Sequence, residues 1–274
     1  MALMTVSEKG LVLLGCGKMG SAMLQGWLAD GLKPSSVYVL DPFPSEWLHE
    51  LEEKGLNLNK TLPQEPAVCI IAVKPQMMGE ALPSLKVIAR TDTVFLSIAA
   101  GTSIESFQSV LGENCKIVRA MPNTPAAIGQ GISALIGNSN SSNQDIKLCE
   151  TLLQAVGDTV VLESESQMDA VTAVSGSGPA YVFHLIEALA AAGVNQGLSA
   201  QLAMKLAKKT VAGAGALAFH SEESPEQLRV NVTSPGGTTQ AALEILMDVE
   251  TGFPKVLLEG VKAAANRSKE LGKA

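Results

Sequence analysis

Apolar and polar positions in the first part of the chain follow two periods. Short, nearly continuous apolar runs recur at Leu11-Val12-Leu13-Leu14, Val37-Tyr38-Val39-Leu40, residues 68–73, 93–98 and 115–119, each bounded by turn residues. Runs of this kind are the pattern of strands buried on both faces. Between them, apolar positions spaced three and four apart predict helices near 45–54, 76–90 and 103–111. Two further strands, around 132–136 and 159–162, flank a helix near 143–156. The alternation predicts an α/β fold, an open and mainly parallel sheet wrapped by helices.

The texture changes at Glu163-Ser164-Glu165-Ser166-Gln167-Met168-Asp169. Beyond it strand signals stop and an alanine-rich helical pattern takes over. It breaks at residues 175–179, 193–197 and 220–225, and at a glycine-rich loop near 232–239. The expected domains are therefore 1–163 and an all-helical 164–274, the second close to the usual lower size of a domain.

The first glycine-rich segment is Gly15-Cys16-Gly17-Lys18-Met19-Gly20. Alone, such a spacing is weak. Between an apolar strand and the helical run from Ser21 to Leu28 it becomes the dinucleotide fingerprint of a Rossmann-type domain, whose glycines serve the tight turn, the pyrophosphate and helix–strand packing. The next strand ends in Asp41, where an acid holds the ribose. A carboxylate there accepts from a 2′-OH and repels a 2′-phosphate, and Pro42-Phe43-Pro44 brings no cation. NADH is thus expected to serve at least competitively, with NADPH accepted by turning Asp41 toward solvent; a turn-forming Asp before Pro is the plainer alternative. Ala72-Val73-Lys74-Pro75 falls at the C-terminal edge of a strand, where open α/β sheets bind ligands. There Lys74 is either beside the cofactor or simply solvated. Met121-Pro122-Asn123-Thr124-Pro125 is a stiff loop able to hold the Asn123 amide at a nicotinamide. The small residues of Ser175-Gly176-Ser177-Gly178-Pro179 suit either a nicotinamide or close helix packing.

The most informative segment is Thr233-Ser234-Pro235-Gly236-Gly237-Thr238-Thr239-Gln240. Its paired glycines let a ligand approach the backbone, and the helical pattern after Thr239 aims free N–H groups at an anion the size of a carboxylate. An ordinary capped turn would have similar composition. No residue set suggests a covalent nucleophile, a zinc-bound water or a carboxylate pair. Alcohol oxidation needs a base, whereas a protonated imine is already electrophilic and needs chiefly to be positioned against a hydride. A threonine hydroxyl with backbone amides for a carboxylate would suffice, and this loop offers both.

Composition narrows the partners. The chain has 274 residues, is 46% hydrophobic and carries a net charge of -7, with mean hydropathy +0.23 and pI near 5.1. Acidity argues against nucleic acid and anionic membrane as partners, and no apolar run has the length of a membrane span. The apolar excess suits an extensive subunit interface. Residues 1–9 lack the apolar core of a signal peptide, and Cys16, Cys69, Cys115 and Cys149 show neither metal nor disulfide spacing. A reducing cytoplasm is the expected location, without a metal site.

Taken together, these segments resemble the pyrroline-5-carboxylate reductase family, the last enzymes of proline biosynthesis. The likeness spans nearly the whole chain: residues 15–20, 72–75, Ala99-Ala100-Gly101, 121–125, Asp169-Ala170-Val171-Thr172 leading into 175–181, and 234–239. The resemblance implies an NADPH- or NADH-dependent oxidoreductase acting on 1-pyrroline-5-carboxylate. Its imino-acid carboxylate would lie against Ser234 and the amides of Gly237, Thr238 and Thr239, with the Thr239 hydroxyl at the ring nitrogen. Glu165 and Glu222 match acidic positions near the substrate, Asn59 one near the adenosine ribose and Ala100 one near the dinucleotide. The family's helical domains intertwine in a homodimer, with the active site between subunits, and dimers join into larger rings. Many members carry small or basic residues after the second strand and favour NADPH, a pattern from which Asp41-Pro42 departs.

A β-hydroxyacid dehydrogenase shares the two-domain plan but uses a catalytic lysine on the first long helix of its second domain. This chain has no lysine between Met168 and Ala203. A non-catalytic dinucleotide sensor would have no use for the hydroxyl-lined loop at 234–239.

Overall fold

The computed structural model of the chain describes residues 2–272. Its strands are β1 (Leu11–Leu14), β2 (Val37–Leu40), β3 (Asn57–Leu58), β4 (Val68–Ile71), β5 (Val94–Ser97), β6 (Lys116–Met121), β7 (Gly131–Gly137) and β8 (Gly157–Val161). They form one sheet in the order β3-β2-β1-β4-β5-β6-β7-β8. Every neighbouring pair is parallel except β6–β7, where Val118 faces Gly137 in antiparallel register.

Because side chains alternate along a strand, the central strands feed two cores. Leu11 and Leu13 pack with Met23, Leu24, Trp27, Leu152 and Leu153 on one face, and Val12 and Leu14 with Leu82, Leu85, Phe95 and Phe107 on the other. The covering helices are α1 (Ala2–Lys9), α2 (Lys18–Ala29), α3 (Glu46–Glu53), α4 (Met78–Ala81), α5 (Ile104–Leu111) and α6 (Asn143–Gln154). Trp27 is fully buried, and its indole N–H donates to the Leu152 carbonyl at 2.8 Å, which ties α2 to α6 without an orphaned donor. Ser142 and Asp145 form a reciprocal capping box at the start of α6.

The helix expected over 76–90 divides into the 3-10 turn Pro75–Met77, the short α4 and the 3-10 segment Leu82–Val87. Pro83 has no N–H to give and its ring crowds the preceding turn, so the α ladder cannot run through. The two-residue β3 is too short for a periodic signal, and α1 is an element the sequence pattern did not predict.

Beyond β8 the elements are α7 (Met168–Val171), a π turn at Thr172–Gly176, α8 (Gly178–Asn195), α9 (Ala200–His220), α10 (Pro225–Asn231), α11 (Thr238–Leu246) and α12 (Phe253–Leu271). The break between α11 and α12 carries Gly252 just before α12 and Pro254 in its first turn, and a Cβ at Gly252 would stand 2.5 Å from the Leu246 and Asp248 carbonyl oxygens. There the Asp248 carboxylate accepts from the Glu250 and Thr251 N–H groups and the Thr251 hydroxyl, which stops α11.

The chain forms two compact units, residues 1–176 with 265–274, and residues 177–264. The end of α12 belongs to the sheet unit: Ser268 donates to the Asp169 carboxylate at 2.6 Å, and a Cβ at Gly101 would stand 3.0 Å from that of Leu271. Within the helical unit, the buried apolar cluster consists of Ala190, Ala203 and Ala207, with Ile186 and Met204 packed against it. Phe183, Phe219, Ile245, Val249 and Leu258 are exposed.

All four cysteines are buried in the sheet unit. Burial pushes each thiol up, furthest at Cys69 and Cys149. At Cys16 the Ser21 hydroxyl opposes that rise and the Asp41 charge adds to it. Thiolates are the reactive form, so the native protein in neutral buffer is expected to leave Ellman's reagent unchanged, with four equivalents released on denaturation. Rapid labelling of a cysteine in the native state would contradict this.

Candidate active site

The loop after β1 is shaped by contacts that exclude side chains. Gly15 sits at φ +86, and a Cβ there would meet Val73 Cγ1 at 2.8 Å and the Ala72 carbonyl carbon at 3.1 Å. A Cβ at Gly20 would meet the Gly15 oxygen at 2.7 Å, whereas at Gly17 nothing lies within 4 Å. The first and third glycines therefore serve packing, and the second borders open space where a phosphate can lie against backbone. Gly17 caps α2 without a side-chain bond, so the N–H groups of Lys18, Met19 and Gly20 open the helix unpaired, as an anion site requires. Lys18 is exposed, and Met19 packs on the core. The donors and the cradle fit a dinucleotide pyrophosphate.

Since β1 has β2 on one side and β4 on the other, the two loops leaving β1 and β4 stand at the switch point of the sheet. The same contacts bring Ala72 and Val73 against Gly15 and Gly20, as the sequence segments implied. Lys74 and Pro75 are exposed, with Lys74 preceding the 3-10 turn. Ala100 is half-buried in the turn after β5.

Asp41 follows β2 directly. Its Oδ2 accepts the Cys16 N–H at 2.7 Å and its Oδ1 the Phe43 N–H at 2.8 Å. The side chain is therefore fixed toward the glycine loop rather than turned to solvent. Asn59 clamps the same residue, accepting the Asp41 N–H on Oδ1 at 2.9 Å and donating Nδ2 to the Asp41 carbonyl at 2.9 Å.

Asn123 joins its loop to β7 and to Ser175. Its Oδ1 accepts the Ile132 N–H at 3.0 Å and its Nδ2 donates to Ser175 Oγ at 3.3 Å. Next to Ser175, Gly176 lies so close to Met121 that a Cβ would overlap the methionine methyl, whereas at Gly178 nothing lies within 4 Å, so packing bears on the first of these glycines alone.

Glu165 is held by two partners. Its Oε1 accepts Arg119 Nη1 at 2.7 Å and the Ile104 N–H, in the first turn of α5, at 2.9 Å. Arg119 is 6% exposed on β6, between apolar neighbours. Sequence reasoning placed Arg119 only as the last residue of a strand. A guanidinium inside an apolar run was the available signal, since such a charge needs a buried partner.

In the helical unit, Ser234 and Thr238 are exposed and Thr239 is half-buried. Gly236 takes φ +70, which turns the chain so that Gly237 becomes the N-cap of α11. The Gly236 N–H donates to Gln240 Oε1 at 2.7 Å and the Gly237 N–H to the Ser234 carbonyl at 3.0 Å. The first helical bond runs from Ala241 to Gly237, so the N–H groups of Thr238, Thr239 and Gln240 lie ahead of the ladder. The Thr238 and Thr239 N–H groups are therefore open to an anion, whereas the Gly237 N–H is already given to the Ser234 carbonyl. Glu222 is exposed in the link between α9 and α10.

Two family models match different parts of the chain. Residues 165–271 match the family described as pyrroline-5-carboxylate reductase dimerisation. Residues 10–101 match the family described as NADP oxidoreductase, coenzyme F420-dependent. A pyrroline-5-carboxylate reductase of Pseudomonas aeruginosa is 36% identical over 97% of this chain and 98% of its own. One of Synechocystis is 39% identical over 96% and 98%. Among solved structures, a pyrroline-5-carboxylate reductase from Coxiella burnetii superposes with a TM-score of 0.88 at 33% identity, covering 97% of this chain and 99% of the other. The Plasmodium falciparum enzyme with NADP bound gives 0.83 at 31%, over 97% and 99%. With that identity sustained along almost the whole chain and the same fold beneath it, the protein belongs to the pyrroline-5-carboxylate reductase family.

Proposed function

We propose that the protein reduces 1-pyrroline-5-carboxylate to L-proline, the last step of proline biosynthesis. The observation that carries this reading is the opening of α11, where the free amides of Thr238 and Thr239 stand together with their hydroxyls. That set suits a carboxylate attached to an imine which needs only to be held.

Bound NADH or NADPH supplies the hydride. Gly15, Gly17 and Gly20 let it approach, and the N–H groups of Lys18 and Met19 receive its phosphates. Asp41 and Asn59 serve its adenosine end. Ala72, Val73, Lys74, Pro75 and Ala100 border the dinucleotide, and Asn123 stiffens the loop at its nicotinamide end. Ser234 with the amides of Thr238 and Thr239 takes the substrate carboxylate, and Gly237 shapes the turn. The Thr239 hydroxyl holds the ring nitrogen in line for the hydride. Glu222 carries a charge near the substrate, and Glu165 acts as a positioning residue through Arg119 and Ile104.

Residues 164–274 form the substrate-binding and dimerisation region, a reading supported by the dimerisation match over 165–271. The protein assembles as a homo-oligomer, with a dimer as its unit. No described helix is long and apolar enough to cross a membrane, and we place the enzyme in the cytoplasm.

The test follows loss of reduced-nicotinamide absorbance with 1-pyrroline-5-carboxylate and identifies proline in the product. Turnover of the imine with stoichiometric proline is expected. Turnover of a 3-hydroxy acid with none of the imine would overturn the reading.

A further inference from the structure

We propose that the adenosine end of the coenzyme site is built for an unphosphorylated ribose, so that this enzyme selects NADH over NADPH. Asp41 is the specificity-determining residue and Asn59 the positioning residue that fixes it. The inference rests on the reductase reading and goes beyond it, because the fold and the related structure with NADP leave the choice of coenzyme open.

Its ground is the rigidity of Asp41. Both carboxylate oxygens accept backbone N–H groups, at 2.7 Å from Cys16 and 2.8 Å from Phe43. A carboxylate has about four acceptor positions on its two oxygens, so the remaining lone pairs suit the two hydroxyls of a ribose. Turning the side chain away from a 2′-phosphate would break two charge-assisted bonds and leave the Cys16 amide, in the middle of the glycine loop, without its acceptor. The negative charge therefore stays where that phosphate would be.

Among the described residues, Asn59 is the one non-glycine residue with positive φ, at 51°. That unusual conformation, which asparagine tolerates, carries its amide to the backbone of Asp41 for the reciprocal pair at 2.9 Å in each direction. A residue eighteen positions further along the chain thus holds the acid by its main chain, while the glycine loop holds it by its side chain. Lys60, the next residue, lies 3.9 Å from Glu52, so that pair brings no net positive charge to offset a phosphate.

A diol and a phosphate differ sharply toward such a group. The diol donates hydrogen bonds to it, whereas the phosphate offers none at neutral pH and adds about -1.5 to -2 charges. The experiment is equilibrium binding of NADH and NADPH to the full chain without substrate, read by protein-to-nicotinamide energy transfer. The wild type is expected to bind NADH at least about tenfold tighter. Asp41→Ser should bring the ratio of Kd values to about one or below, through tighter NADPH. Asn59→Gly keeps the backbone conformation available but removes the amide pair. It should lower the ratio severalfold while the apo melting temperature changes little. Equal affinities in the wild type, or a ratio unmoved by Asp41→Ser, would overturn the proposal. Binding of neither dinucleotide would instead overturn the reductase reading on which it rests.

Discussion

Glu165→Ala is expected to lower the unfolding free energy by about 3 kcal/mol, at the lower end of the roughly 3–5 kcal/mol seen when one partner of a buried ion pair is removed. Arg119 has only 8% of its side chain exposed, and Glu165, its partner at 2.7 Å, has 32%. The substitution strands a guanidinium inside the sheet unit and takes the acceptor from the Ile104 N–H in the first turn of α5. The exposed side of Glu165 admits water, which sets the estimate at the low end of that range. In thermal melts the loss corresponds to about 6–12 °C for a chain of this size. Glu165→Gln keeps an oxygen for Ile104 and should cost about half as much. Urea denaturation of the three proteins checks this. An unchanged midpoint accompanied by a raised KM would show that Glu165 meets substrate instead of holding Arg119.

Thr239→Ala is expected to lower kcat/KM by about ten- to a hundredfold, the value of one hydrogen bond to a charged group at roughly 1.5–3 kcal/mol. Thr239 is the second residue of α11, and its hydroxyl can be removed without touching the turn, which is made by Gly236, Gly237 and Gln240. The helix opening survives, so carboxylate binding survives with it. The loss should fall on kcat, because a misaligned ring nitrogen hurts hydride transfer more than ground-state binding. Ser234→Ala is the complementary change and should mainly raise KM. Steady-state kinetics with saturating coenzyme separates the two. Wild-type kcat in Thr239→Ala would remove that hydroxyl from the reaction.

How much of this was legible in the sequence depends on how local each signal is. The strands at 11–14 and 37–40 appear where their apolar runs lie, because buried parallel strands need no partner-specific residues to be recognised. The glycine loop and the 72–75 segment were placed correctly at strand ends, and the structure adds that they touch. Asp41 was read as a ribose acid free to swing to solvent. Its two amide donors come from Cys16, twenty-five residues earlier, and from Phe43, and only the first needs tertiary structure to be seen. Asn123 was read as an amide for the nicotinamide; its bonds to Ile132 and Ser175, nine and fifty-two positions away, are tertiary contacts that no local pattern shows. Likewise, the pairing of Arg119 with Glu165 spans 46 positions, and no periodicity encodes a contact between a strand and a distant turn. The helix over 76–90 failed for a local reason, Pro83, whose missing donor outweighs the apolar spacing around it.

The core of residues 177–264 has a thermodynamic consequence. Three alanines, with Ile186 and Met204 beside them, are the buried apolar cluster of that unit, while Phe219, Ile245 and Val249 are each more than 70% exposed. Methyl groups alone remove little surface from water, whereas each large apolar side chain covered on association contributes about 1.5–3 kcal/mol. In the homo-oligomer proposed above, folding of this unit and association of the chains are then expected to be one equilibrium rather than two in succession. Its midpoint is expected to shift with the logarithm of protein concentration, dilution alone acting on it as a mild denaturant.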